Sequence, residues 1–193
     1  MSQKLIFFAK NHIFRQISTN FDKKKCFNCI PTGGEVMKDY EINKNTLALI
    51  PIGKKKTVIY EDHECYIVDE KILKIMDSNC KYYGSSISGR IQGTYSLTGF
   101  NYKAPIIVEE DKSIIFFPTC SPRLKDCAWI NVNNIKKVHS KSEKSIIEFL
   151  NNECIEIDSS YRIIQNRYLK SLSLETAFRN RKKGKELFKH SLF

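Results

Sequence analysis

From Thr46 onward the chain is written in short apolar runs divided by polar turns, and that rhythm leaves few folds open. Thr46 to Ile52, Thr57 to Tyr60 and Glu64 to Val68 are rich in Ile, Val, Leu and Tyr. Gly53-Lys54-Lys55-Lys56 and Glu61-Asp62-His63 separate them, so they read as strands of a meander. The second half repeats the pattern. Pro105 to Val108 and Ser113 to Phe117 flank the acidic turn Glu109-Glu110-Asp111-Lys112. Cys127 to Val132, Ile135 to His139, Ser145 to Leu150 and Glu153 to Ile157 add further strands, with Asn151-Asn152 as a hairpin turn.

Two segments break the strand rhythm. Asp69 is placed to cap a helix whose apolar positions Ile72, Ile75, Met76, Cys80 and Tyr83 fall at helical spacing, with Gly84 ending it. From Ser160 a second helical pattern puts Tyr161, Ile164, Tyr168 and Leu172 on one face and Arg162, Arg167 and Lys170 on others, before a basic run from Arg179 to Lys185. Between them, Gly84 to Thr94 holds three glycines and three serines in eleven residues around Arg90. Such a stretch cannot pack a core of its own and is expected as a flexible connector or a ligand-approaching loop. The predicted class is α+β, a mainly antiparallel sheet with one internal helix and a C-terminal basic helix. The sole tryptophan, Trp129, is expected in the core.

With 193 residues there is room for one domain and its extensions. Residues 1–36 are expected to be a leader or non-core extension, 37–185 the domain and 186–193 a short tail. Leu5 to Ala9 is too short an apolar run, and too soon broken by Lys10, for an export signal. Gly33-Gly34-Glu35, just before Met37, is compatible at codon level with a ribosome-binding sequence, so translation is expected to start at Met37. No apolar stretch reaches the roughly 18 residues of a membrane span, and the expected location is the cytoplasm, at the nucleoid.

Thirty-two basic residues against 21 acidic ones give a net charge of +11, and the excess lies at the ends. Residues 1–38 hold 7 basic and 2 acidic groups, residues 39–161 hold 16 and 17, and residues 162–193 hold 9 and 2. Basic segments on a near-neutral domain favour polyanions, although charge alone equally fits a merely soluble basic protein. Seven scattered cysteines suit reduced, buried thiols rather than a disulfide framework. Cys26 and Cys29 form the one close pair, without the second pair that a zinc site needs, and no metal or cofactor is expected. Asp62-His63-Glu64-Cys65 gathers ionisable groups, but neighbouring strand residues point to opposite faces and do not converge on a substrate. No phosphate-binding glycine loop of the P-loop or dinucleotide type occurs, so the chain is not expected to be an enzyme.

Asn79-Cys-Lys-Tyr-Tyr-Gly-Ser-Ser-Ile-Ser-Gly-Arg-Ile-Gln-Gly-Thr94 resembles the signature of the ComK family. The resemblance continues in register through Tyr40-Glu-Ile-Asn43, Lys103-Ala-Pro-Ile-Ile-Val108, Ile115-Phe-Phe-Pro-Thr119 and Cys127-Ala-Trp-Ile130, covering roughly residues 39 to 180. It implies a transcription activator of DNA-uptake genes that recognises paired A/T-rich boxes, chiefly through the minor groove, as a homo-oligomer. Double-stranded DNA, RNA polymerase and a protease adaptor are the implied partners. Two departures stand out. Longer family members continue well beyond the position of Arg181, which puts tail-borne functions in doubt, and Ala104 stands where the family commonly has a second proline.

A narrow A/T minor groove offers mainly acceptors under a strongly negative potential, so a reader needs slender donors and cations on a closely approaching backbone. Arg90, between Gly89 and Gly93, meets that need, with Ser85, Ser86, Ser88 and Gln92 as hydrogen-bond donors and Lys81 beside them. The alternative is a structural loop in which Arg90 pairs with a carboxylate. Arg162, Arg167, Lys170, Arg179, Arg181, Lys182 and Lys183 are expected as phosphate anchors, or else as a solvated helix face. Two further readings of the whole chain stay open: a general nucleic-acid-binding module, and a regulatory interaction protein of this family without full activation function.

Overall fold

A computed structural model describes residues 36–62 and 64–190, with side chains as far as 184. Cys26, Cys29, His63 and the expected leader up to residue 35 lie outside the described residues. The strands are β1 (Val36–Met37), β2 (Ala48–Ile52), β3 (Lys56–Tyr60), β4 (Cys65–Val68), β5 (Ile106–Glu109), β6 (Ile114–Pro118), β7 (Trp129–Asn131), β8 (Ile135–Lys141), β9 (Lys144–Phe149) and β10 (Cys154–Ile157). The helices are α1 (Ile72–Tyr82), α2 (Ile87–Thr98) and α3 (Tyr161–His190).

Seven strands form one sheet in the order β1-β4-β3-β2-β7-β6-β5, and β10-β9-β8 form a second. All pairings are antiparallel except β1 with β4. Both faces of the large sheet are buried, as the unbroken apolar runs of β5 and β6 require. One face carries Leu49, Ile59, Val68, Ile106, Val108, Phe116 and Trp129 against Ile72, Ile75, Met76 and Cys80 of α1. The other carries Ile50, Val58, Ile107, Ile115, Phe117 and Ile130 against Ile147, Phe149 and Ile155 of the small sheet and Ile164 and Leu174 of α3. Trp129 is fully buried, as expected. The α+β class and mainly antiparallel sheet hold.

Three local expectations are corrected. Gly84 to Thr94 is not a loop: most of it is α2, so there are two internal helices. Ser86 caps α2 by accepting a hydrogen bond from the Gly89 amide at 3.1 Å, and Gly99, at φ +74°, closes it. Ile87, Ile91 and Thr94 recur at helical spacing on the inner side, which is enough apolar surface once α1 and the sheet are present to receive it. Asp69 does not cap α1. Its amide still donates to the Met37 carbonyl at 3.1 Å, extending the β1–β4 pairing, so the helix starts only after Lys71. On α3 the buried face runs through Ile164, Arg167, Ser171 and Leu174, and Tyr161 is exposed.

Gly84 ends α1 as expected, at φ +73°, followed by the Ser85 amide donating to the Cys80 carbonyl. A side chain there is strained, whereas Gly93 sits inside a helix with nothing within 4 Å of an added Cβ. Gly84→Ala is expected to cost about 1 kcal/mol in urea unfolding, and Gly93→Ala to stabilise by up to about 1 kcal/mol. Effects of the same sign at the two positions would contradict the placement of the α1–α2 corner.

Candidate nucleic-acid interface

α2 lies on one face of the large sheet and α3 on the other, and they meet over its edge strand β5. Lys170 Nζ stands 5.1 Å from the Phe100 ring just past the end of α2, while Arg181 and Lys182 lie beside Ser85, Gly89 and Arg90 at its start. The two helices therefore run antiparallel. Between them is a groove of about 500 Å³ lined by Ser85, Arg90, Gly93, Phe178, Arg181 and Lys182, with Leu97, Ile107 and Leu174 as its apolar wall. Residues nearly a hundred positions apart in the chain are thus brought to one place.

The α1–α2 corner that frames this groove is built by short polar contacts. Asp77 accepts the Ile87 amide at 3.0 Å and pairs with Lys81 at 2.7 Å, tying the end of α1 to the start of α2. Ser86 and Ser88 hydroxyls lie 3.0 Å apart. A Cβ at Gly89 would come within 2.9 Å of the Ser85 hydroxyl, so a side chain there requires Ser85 to shift. Tyr83 packs towards the core and Tyr82 is exposed, in the assignment that helical spacing indicates. The outer edge of α2 presents Ser88, Gln92, Tyr95 and Ser96 to solvent, and the helix contains no carboxylate. Tyr95 and Ser96, like exposed Tyr102 beyond the helix, had no place in a loop reading. The 87, 91, 94 spacing with Ser86 before it and Gly99 after it is the signal that reveals them.

The cations fall into distinct environments. Arg90 is the carboxylate-paired alternative in this structure: its Nη1 is 2.5 Å from Glu110 Oε1 and its Nη2 donates to the Tyr83 carbonyl at 3.1 Å. Its side chain is 11 % exposed. Arg167 is not on the surface. It is buried and donates to the Pro118 carbonyl of β6, and burial holds its pKa below the usual arginine range. Its position on the inner face of α3, opposite β6, removes it from any phosphate. Arg179 pairs with Glu175 at 2.6 Å and Lys182 with Asp111 at 3.2 Å, whereas Arg162, Arg181 and Lys183 are exposed. No group of three or more potential metal ligands occurs among the described residues. Burial pushes the Cys80 thiol up to about 11 and that of Cys127 to about 12, so both stay protonated at neutral pH.

Two measurements check these placements. Arg167→Ala strands the Pro118 carbonyl and is expected to cost about 2 kcal/mol in urea unfolding, while Arg162→Ala stays within about 0.5 kcal/mol. The Asp77 carboxyl is held below the ordinary carboxylate range by the hydrogen bond from Lys81 and then by that from the Ile87 amide, outweighing burial. Its charged form is therefore favoured by folding. That contribution is complete above the unfolded value near about 3.9 and is lost as pH falls through the lower folded value. Asp77→Asn is expected to lower the urea midpoint at neutral pH and to match the wild type once both are in acid below that range.

The comparisons with known proteins bear on the same elements. The family model described as ComK protein matches residues 37–183. The competence transcription factor of Bacillus subtilis (strain 168) is 32% identical over 149 residues, which are 75% of this chain and 78% of the relative. No solved structure matches significantly. The matched span contains every described element from β2 to the basic part of α3, including the α1–α2 corner and the groove, and the chain belongs to the ComK family.

Proposed function

We propose that the chain is a competence transcription factor, a sequence-specific DNA-binding activator of DNA-uptake genes that reads A/T-rich boxes chiefly through the minor groove. The observation that carries this reading is α2, whose carboxylate-free outer edge offers Ser88 and Gln92 on successive turns. A minor groove about 6 Å wide does not admit a helix about 10 Å across, so α2 lies along the groove rim and its side chains reach inward. Gly93 removes bulk from that edge. Serine, glutamine and lysine donors match the acceptors that A/T pairs present there. Lys81, Lys170, Arg181, Lys182 and Lys183 supply contacts to flanking phosphates, which fix register without reading sequence.

In this reading a homo-oligomer docks on paired boxes and stabilises polymerase engagement, and an adaptor governs turnover. The basic side of α3 also serves a second reading, a general nucleic-acid-binding module. That reading is favoured by the pairing of Arg90 with Glu110, which takes the arginine of α2 out of base contact.

Fluorescence anisotropy of the full chain on a two-box duplex, a scrambled duplex and a duplex with boxes rebuilt from inosine·cytosine pairs separates the two. Inosine·cytosine keeps the minor-groove pattern of A·T but has the major-groove pattern of G·C. Box preference that survives this exchange and higher salt is expected, with Gln92→Ala losing about 1 kcal/mol of discrimination. Equal binding to all three duplexes that fades with salt supports the general module instead.

A further inference from the structure

The acidic turn between β5 and β6 reaches into the groove from below. Glu110 holds Arg90 at 2.5 Å, Asp111 holds Lys182 at 3.2 Å, and the Glu110 carbonyl lies 3.5 Å from the same ammonium. One short turn therefore engages a cation from α2 and a cation from α3. The fit is incomplete. Arg90 Nε is buried and has no hydrogen-bond partner among the described residues, although Nη1 and Nη2 are both engaged. An arginine edge is best matched by two acceptor oxygens of one anion, and Glu110 supplies one, on Nη1. The holders are also exposed: Glu110 is 48 % and Asp111 94 % accessible, so both carboxylates can be rehydrated when their cations leave.

We infer that this groove is a binding site for a DNA backbone phosphate and that Glu110 and Asp111 are its resident stand-ins, displaced when DNA docks. The inference rests on the DNA-binding reading and adds a device to it. A phosphodiester oxygen can replace Glu110 on Nη1 of Arg90, with the Ser85 hydroxyl within reach on the same wall and Lys182 and Arg181 as flanking cations. The acidic turn raises the threshold for weak, nonspecific contact, because each encounter must first break its two ion pairs. Arg90 thereby contributes to phosphate anchoring without entering a groove.

The test measures affinity of the full chain for the scrambled and the two-box duplex with Glu110→Gln, Asp111→Asn and, as a remote control, exposed Glu143→Gln in the β8–β9 turn. Glu110→Gln is expected to tighten binding to both duplexes by roughly two- to fivefold more than the control and to steepen the salt dependence. In an Arg90→Ala background that gain should shrink to the control value. Where melting shows that Arg90→Ala does not fold, Arg90→Lys serves, which keeps a cation and loses the fork. A Glu110→Gln gain equal to that of Glu143→Gln in both backgrounds overturns the inference, since general charge then accounts for it. Binding to the scrambled duplex decides the phosphate site, while box preference decides the DNA-reading proposal, so either can fail alone.

Discussion

Covering both faces of a seven-stranded sheet is the constraint on which the rest of the structure depends. β5 and β6 are apolar on both sides, and neither face tolerates water. α1 and α2 cover one face and the small sheet with α3 covers the other. Because β5 is the edge strand, the two covering layers meet beyond it, and α2 and α3 come together there. The groove, its cations and the acidic turn are consequences of that meeting. An edge strand left bare would expose unpaired backbone groups, so the same packing that forms the groove also closes the sheet.

Much of this was legible in the sequence. The strand runs, the hairpin turns at Glu110-Asp111 and Asn151-Asn152, α1 with Gly84 at its end, and the burial of Trp129 all follow from local period and turn chemistry. α2 was hidden because Gly89, Gly93, Ser88 and Ser96 lower its helix propensity, and its inner side is a narrow strip of Ile87, Ile91, Thr94 and Leu97. It forms because α1, the sheet and α3 receive that narrow apolar strip, and because Ser86 and Gly99 define its ends. Tertiary packing overrides weak propensity here.

The candidate site divides in the same manner. Residue type identified the cations but not their surroundings. Arg162 and Arg167 are alike in sequence, yet one is exposed and the other is buried under β6, a difference set by the exact rotation of α3 on the sheet. Of the two roles considered for it, Arg90 takes the carboxylate-paired one here, and it does so beside Arg181 and Lys182. The family membership covers the whole of this arrangement, and Ser86, which caps α2 through the Gly89 amide, has a structural role within the stretch around Arg90.

Hydrogen exchange of the full chain with and without a two-box duplex tests most directly whether α2 and α3 form one DNA-facing surface. Slowed exchange over Lys81–Thr98 together with the Lys170–Lys183 part of α3, and unchanged exchange in β8 and β9, is the predicted result. Protection centred instead on Lys136, Lys137, Lys141 and Lys144, the lysines of the small sheet, would contradict the account and move the DNA away from α2.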